Sequence, residues 1–246
     1  MKFSENWLRE WIRIPLSRDA LCEQLTMAGL EVDSVQSTAA DIKGVVCAKV
    51  VQTEPHPKNK KLTICKVNHG QAAQATVVCG ASNVTRGHCY PFAGVGAVIN
   101  GIKLQSKNIA GVESQGMLCS AQDLGLEESS KGVLKLDHDS DCGRDIQSLL
   151  QLDDSIIDID LTPNRGDCLS IRGIARELAI LNSLPLSGPK LSKVPPTSDE
   201  TVSIRIDAPQ ACPRYVARVL SGINNRKSSP LWLREKLRRS GLRSLS

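Results

Sequence analysis

Two stretches of the chain hold residue types that could do chemistry, and both are suited to holding phosphate and ribose oxygens. The first is Glu54-Pro55-His56-Pro57-Lys58-Asn59-Lys60-Lys61-Leu62, directly after a Val-rich run. Two prolines stiffen the turn and three lysines follow, so positive charge is fixed where a nucleic-acid backbone could dock. The plain alternative is a solvated basic loop. His56, between two prolines, is assigned to the turn rather than to catalysis. The second stretch runs from Gly111 through Ser114 and Met117 to Ser120 and is preceded by Lys103, Lys107 and Asn108. Its glycines let another backbone approach, and serine hydroxyls and backbone N–H groups bind phosphate or ribose oxygens. Its alternative is a tight turn with Met117 in the core.

Two further clusters are weaker. In Thr162-Pro163-Asn164-Arg165-Gly166-Asp167, the pair Arg165 and Asp167 resembles a ligand site, but Asp167 also suits the N-cap of the helix that follows. Arg234, Lys236, Arg238, Arg239 and Arg243 form the densest positive charge, part of it a solvated helix face and part available for phosphate contact. No phosphate-cradling G-x-x-x-x-G-K-[ST] loop, G-x-G-x-x-G turn or H-E-x-x-H pair occurs, so no catalytic or metal-binding residue is assigned and tight ATP binding is not expected. The nine cysteines show no C-x-x-C pair and are expected to be reduced.

The elements that must position these residues follow from periodicity. Ser4 caps a helix carrying Trp7, Leu8, Trp11 and Ile12, and Ser17 caps a second that Gly29 stops. A strand from Leu30 to Val35 follows. Strands are expected at Val45–Val51, Leu62–Val67, Thr76–Cys79, Ala97–Ile99 and Val133–Leu136, with a short helix near Ala121–Leu126, which suits a small closed barrel. Strand Ile156–Leu161 and a helix with Ile171, Ile174, Ala175, Leu178 and Leu181 on one side come next. Beyond the Pro-rich linker 185–200, alternation at Val202, Ile204 and Ile206 and at Tyr215, Ala217 and Val219 predicts two strands, and Ser229-Pro230 opens a helix that Gly241 closes.

At 246 residues and 41% apolar content, more than one folded unit is expected. Aromatic residues make up only 3%, which argues against RNA binding by stacking, and a net charge of +5 permits a polyanionic partner without requiring one. No stretch approaches a membrane span, and the start lacks the apolar core of a secretory signal, so the expected location is cytoplasmic.

The run E-P-H-P-K-N-K-K-L, then C-K-V-N-H-G, V-V-C-G-A-S-N-V and G-V-E-S-Q-G-M-L-C-S, resembles the tRNA-binding OB-fold of several synthetases and free tRNA-binding proteins. The opening M-K-F-S-E-N-W-L-R-E-W-I, the segment L-T-M-A-G-L-E-V-D-S-V, the run D-L-T-P-N-R-G-D-C-L-S-I-R-G and the later A-C-P-R-Y-V-A-R-V extend the resemblance to the β subunits of bacterial phenylalanyl-tRNA synthetase. The resemblance implies an α+β multi-domain fold. A five-stranded OB-fold barrel at 41–150 would be inserted into a small α/β domain of residues 1–40 plus 151–190. Residues 201–246 would begin an α/β editing module whose pocket lies past Ser246. It further implies an α2β2 ligase that joins phenylalanine to tRNA(Phe) with ATP and Mg²⁺, the chemistry lying on the α subunit and this fragment needing no cofactor. The tRNA-binding residues it implies are Lys58, Lys60, Lys61, Asn83, Lys103, Lys107, Ser114, Met117 and Ser120. Asn59, Lys60, Ala110 and Gln115 depart from the usual family pattern. The alternatives are hydrolytic editing of mischarged tRNA by the fragment itself and a free-standing tRNA-binding protein.

Overall fold

The structure, a computed structural model, describes residues 1–136, 142–224, 227 and 229–245; residues 137–141, within the expected barrel, lie outside them. The chain begins with β1 (Lys2–Ser4), α1 (Glu5–Trp11), α2 (Arg18–Met27) and β2 (Glu31–Ser37). Ser4 and Ser17 are the two N-caps, their hydroxyls accepting from the backbone N–H of Trp7 and Ala20. Gly29, at φ 80°, ends α2 in the left-handed conformation that glycine adopts without strain.

The middle of the chain is antiparallel sheet. It comprises β3 (Ile42–Pro55), β4 (Thr63–Asn68), β5 (Ala75–Cys79), β6 (Cys89–Ile99), β7 (Ile102–Lys103), β8 (Lys107–Ile109), β9 (Val112–Ser114) and β10 (Gly116–Leu118). The order is β10-β6-β3-β4-β5, with β7 on β6 and β8–β9 as a separate hairpin. Strand β6 starts well before the expected Ala97, because its first half carries Pro91, which conceals the strand pattern. Pro91 lies opposite Cys47, whose carbonyl accepts from Gly143 (2.8 Å), so the proline's missing N–H leaves that acceptor satisfied. The expected helix near Ala121–Leu126 is a run of turns in which Ser120 and Asp123 cap each other and Gly125 sits at φ 71°. The expected strand Val133–Leu136 contributes only an isolated bridge, Ser120 to Val133.

The chain then returns to its first layer through α3 (Ile146–Leu149), β11 (Ser155–Asp160), a 3-10 turn (Pro163–Cys168) and α4 (Ile171–Leu181). Strand β11 lies between β1 and β2, antiparallel to both, with Phe3 opposite Ile157 and Val35 opposite Ile157. Leu8, Leu21, Leu25, Ile157, Ile159, Ile174 and Leu178 form the core beneath this sheet. The N-cap of α4 is Ser170, which accepts from Gly173 (3.0 Å), not Asp167 as the sequence suggests. Asp167 lies in the preceding turn, 2.9 Å from Arg176.

Past residue 190 the expected alternating strands are absent: the described residues 191–218 are exposed and without strand structure, Val202, Ile204 and Tyr215 among them. Alternation yields a strand only beside a neighbour that completes its ladder, and no such neighbour occurs among the described residues. The last helix, α5 (Leu231–Arg239), packs back onto the body, with Leu231 in the core shared with Ile42, Leu124 and Leu152.

One buried ion cluster fixes the start of the fold. Glu5, 7% exposed, accepts from Arg9 (2.8 and 3.0 Å) and Arg18 (2.7 Å). Burial pushes its carboxyl up, but the hydrogen bonds and charges of Arg18 and Arg9 outweigh burial and hold it below the usual range. Since the folded value is depressed, the stabilisation is present above the unfolded carboxylate value near ~4.3 and is lost as pH falls through the folded value. Urea midpoints measured from pH 7 to pH 2.5 should therefore fall more steeply for this chain than for a Glu5→Gln variant. Equal slopes would show that Glu5 does not carry the effect.

Candidate nucleic-acid interface

The loop after β3 is built around its histidine. His56 is 2% exposed; its Nδ1 accepts from the Lys58 backbone N–H (3.1 Å), which leaves Nε2 to donate to the Ile109 carbonyl at 3.2 Å. Asn59 caps the return, its Oδ1 accepting from the Lys61 N–H (3.0 Å), while Leu62 closes the loop onto Asn59 and His56. The lysine side chains are left pointing outward: Lys58, Lys60 and Lys61 are all exposed.

Through Ile109 the histidine ties this loop to the β8–β9 hairpin. The hairpin turns at Ala110 (φ 53°) and Gly111 (φ 97°), the paired left-handed conformation of a two-residue turn, and Asn108 Oδ1 accepts from the Gly111 N–H (2.9 Å). The Lys58 ammonium lies over this tip, where a β-carbon on Gly111 would come within 3.2 Å of Nζ. Lys107 is exposed on the same hairpin and Lys103 on β7. Among the described residues, none of Lys58, Lys60, Lys61, Lys103 and Lys107 forms an ion pair.

The other four expected contact residues have internal duties. Asn83 accepts from the Val133 N–H (3.1 Å) and donates to the Val133 carbonyl (2.8 Å), engaging both ends of its carboxamide. Ser114, 3% exposed, accepts from the Val78 N–H (3.0 Å) and donates to the Gly116 carbonyl (2.8 Å). Ser120 exchanges hydrogen bonds with Asp123 (2.6 and 3.1 Å), and Met117 packs half-buried against the core.

Sequence reasoning missed two residues. His56 is a clamp between two segments that are far apart in sequence, and only its flanking prolines hint at a fixed position. Gln115 pairs with Thr76 like a strand residue: its N–H donates to the Thr76 carbonyl and its Oε1 accepts from the Thr76 N–H, both at 2.8 Å. With Ser114 on Val78, this joins the β9–β10 corner to β5, so the two outer edges of the sheet are bonded to each other. Gly116 is required at that corner, at φ 145° and with a β-carbon position only 2.3 Å from the Ala93 carbonyl.

Four of the five C-terminal cations are engaged elsewhere, and the fifth, Arg243, is exposed. Arg234 pairs with Glu127 (2.7 Å), Lys236 with Glu10 (3.0 Å), Arg238 with Glu235 (2.8 Å) and Arg239 with Asp154 (3.0 Å). Arg165 binds Glu177 (3.0 Å) and donates to the Cys168 thiol (3.1 Å). Asp167, Cys168 and Glu177 are close enough to share a cation. A thiol is a poor ligand for Mg²⁺, however, and Arg165 already fills the centre of the group, so these residues do not fit a magnesium site. Among the described residues no cysteine is in a disulfide; burial, then the neighbouring Cys79, pushes Cys65 up to about 12. Among the described residues, no helix is long and apolar enough to cross a membrane.

Residues 45–145 match the family model described as a tRNA binding domain, and residues 211–246 match the B3/4 domain. The whole chain aligns with phenylalanine–tRNA ligase β subunits: 51% identical to that of Hahella chejuensis, 49% to that of Methylococcus capsulatus and 45% to that of Coxiella burnetii. The chain spans 31% of the length of each of these curated relatives. A MetRS-related protein from Pyrococcus horikoshii matches 41% of this chain and 85% of its own at 26% identity, with a TM-score of 0.31.

Proposed function

We propose that this chain, similar along its whole length to phenylalanine–tRNA ligase β subunits, is the tRNA-gripping and assembly portion of such a subunit. The sheet of residues 41–150 would act as an OB-fold barrel inserted into the domain of residues 1–40 and 151–190. Residues 185–200 would be the linker, and 201–246 would belong to the module that edits mischarged tRNA. Phenylalanine, ATP and Mg²⁺ would be handled by the rest of a cytoplasmic α2β2 enzyme.

The observation that carries this reading is the division of positive charge. The helix α5 cations are ion-paired, whereas the five lysines on the loop, the hairpin and β7 carry charge on exposed side chains with no carboxylate partner among the described residues. Tyr90 and Phe92, the aromatic residues of this sheet, are 0% and 3% exposed, so neither ring is offered for a base to stack on. Recognition would rest on backbone charge and on the shape of a folded RNA.

Substituting Lys58, Lys60 and Lys61 together by alanine should flatten the dependence of log affinity for tRNA(Phe) on log salt by about 0.7–0.9 for each phosphate that the variant no longer neutralises. Near 0.1 M salt, three fewer neutralised phosphates correspond to roughly 10²-fold weaker binding. Filter binding of the full 246-residue chain across a salt series would measure both, and an unchanged slope would refute the lysine grip. Hydrolytic editing by the chain itself would appear instead as release of tyrosine from tyrosine-charged tRNA(Phe).

A further inference from the structure

Two strands of chain join the first sheet to the second: residues 37–41 going out and 150–155 coming back. They are bonded to each other, Thr38 N–H donating to the Asp154 carbonyl (3.3 Å) and Thr38 Oγ1 to the Leu152 carbonyl (2.7 Å). A hinge of two strands with a few cross-links between them would let the sheets swing. Helix α5 lies across it.

The contacts of α5 fall on both strands and on both sheets' elements. Arg238 donates to the Thr38 carbonyl (2.8 Å) on the outgoing strand. Arg239, 5% exposed, donates to the Leu150 (2.9 Å) and Gln151 (3.0 Å) carbonyls and to the Asp154 carboxylate (3.0 Å) on the returning strand. Lys236 reaches Glu10 of α1 and lies 5.1 Å from the ring centre of Trp7, while Arg234 pairs with Glu127 on the opposite side. The connector leading to α5 contributes little, since the described residues 191–218 are exposed throughout. The helix is therefore held by its own face.

We propose that the hinge is a docking surface for a cationic helix, occupied here by the chain's own α5, and that Arg238 and Arg239 fix the angle between the two sheets. The hinge presents backbone carbonyls and carboxylates, and α5 presents guanidinium groups, which carry several N–H donors at fixed angles and so can hold two strands at once. Because α5 falls in the B3/4-matching segment, its docking would also set where that segment sits relative to residues 45–145. This inference concerns orientation and does not depend on RNA binding.

The test is hydrogen exchange and ¹⁵N relaxation on the full chain carrying Arg238→Ala with Arg239→Met. The Thr38 and Ser155 amides should exchange about tenfold faster or more, while the β4–β5 amides of Cys65 and Val77 keep their protection. The two sheets should share one correlation time in the parent and show two in the variant. Unchanged exchange at Thr38 with a single correlation time would overturn the proposal. So would a uniform acceleration across both sheets, which would make the arginines general stabilisers. Should the double variant fail to fold, Arg238→Ala alone, at a half-exposed side chain, should still speed exchange at Thr38, and protection there equal to the parent's would likewise overturn it.

Discussion

Gly173→Ala is expected to destabilise the first sheet and its helices by about 3 kcal/mol, the scale of an overpacked core. In an exposed helix interior the same change would stabilise by about 1 kcal/mol, since alanine is the better helix former. The sign reverses because α4 lies against the 3-10 turn before it. A β-carbon at position 173 would stand 2.0 Å from the Asp167 carbonyl oxygen and 3.0 Å from the Cys168 α-carbon, and both are backbone atoms that no rotamer change can move aside. Retreat of that turn would also pull Arg165 from Glu177 and Asp167 from Arg176. Urea denaturation followed by circular dichroism would measure the change. A midpoint equal to or above the parent's would show that the turn yields without cost.

Asp154→Ala should cost about as much as breaking a buried pair, roughly 3–5 kcal/mol. The carboxylate, on a side chain that is 0% exposed, accepts from the Ser4 hydroxyl (2.5 Å), the N–H groups of Asn6 (3.0 Å) and Ser155 (2.7 Å), and Arg239. Removing it leaves a buried guanidinium and the first turn of α1 without their shared acceptor. Asp154→Asn should cost less, because an amide oxygen can still serve the two backbone N–H groups. Combined with Arg239→Met, the alanine variant should be less destabilised than the sum of the two single changes. Strict additivity of the midpoint shifts would show that the two residues do not act as a pair.

Much of this was legible in the sequence wherever the cause is local. A serine before an amphipathic run marked both N-caps of the first layer, and Val-rich runs marked β3, β4 and β5 to within a few residues at most ends. The lysines of the loop were found because proline on both sides of a histidine fixes a turn. What escaped depends on partners remote in sequence. Strand β1 is only three residues long and exists because β11 is there to pair with it. Ser170 took the cap expected of Asp167 because the 3-10 turn places the serine, not the aspartate, at the mouth of α4. Alternation at Val202 and Tyr215 is genuine, yet it gives no strand without a neighbour. Similarly, the charges of α5 looked like a free basic face until their acidic partners, Glu10, Glu127 and Asp154, were located on other elements.

The interleaving of the two sheets sets an order in which the protein can be made. Strand β2 is translated early, but its partner β11 follows only after the whole second sheet. At about 5–20 residues per second, the first segment waits on the order of ten seconds for its completion. During that time β3 to β6, whose pairings are closer in sequence, can form. Once they have formed, the cross-link at Thr38 brings the chain ends together, and β11 closes a short gap in place of a long floppy loop. The inserted sheet thus serves as a template on which the outer one is completed, and a defect in its strands would surface first as newly made chains that never finish their amino-terminal layer.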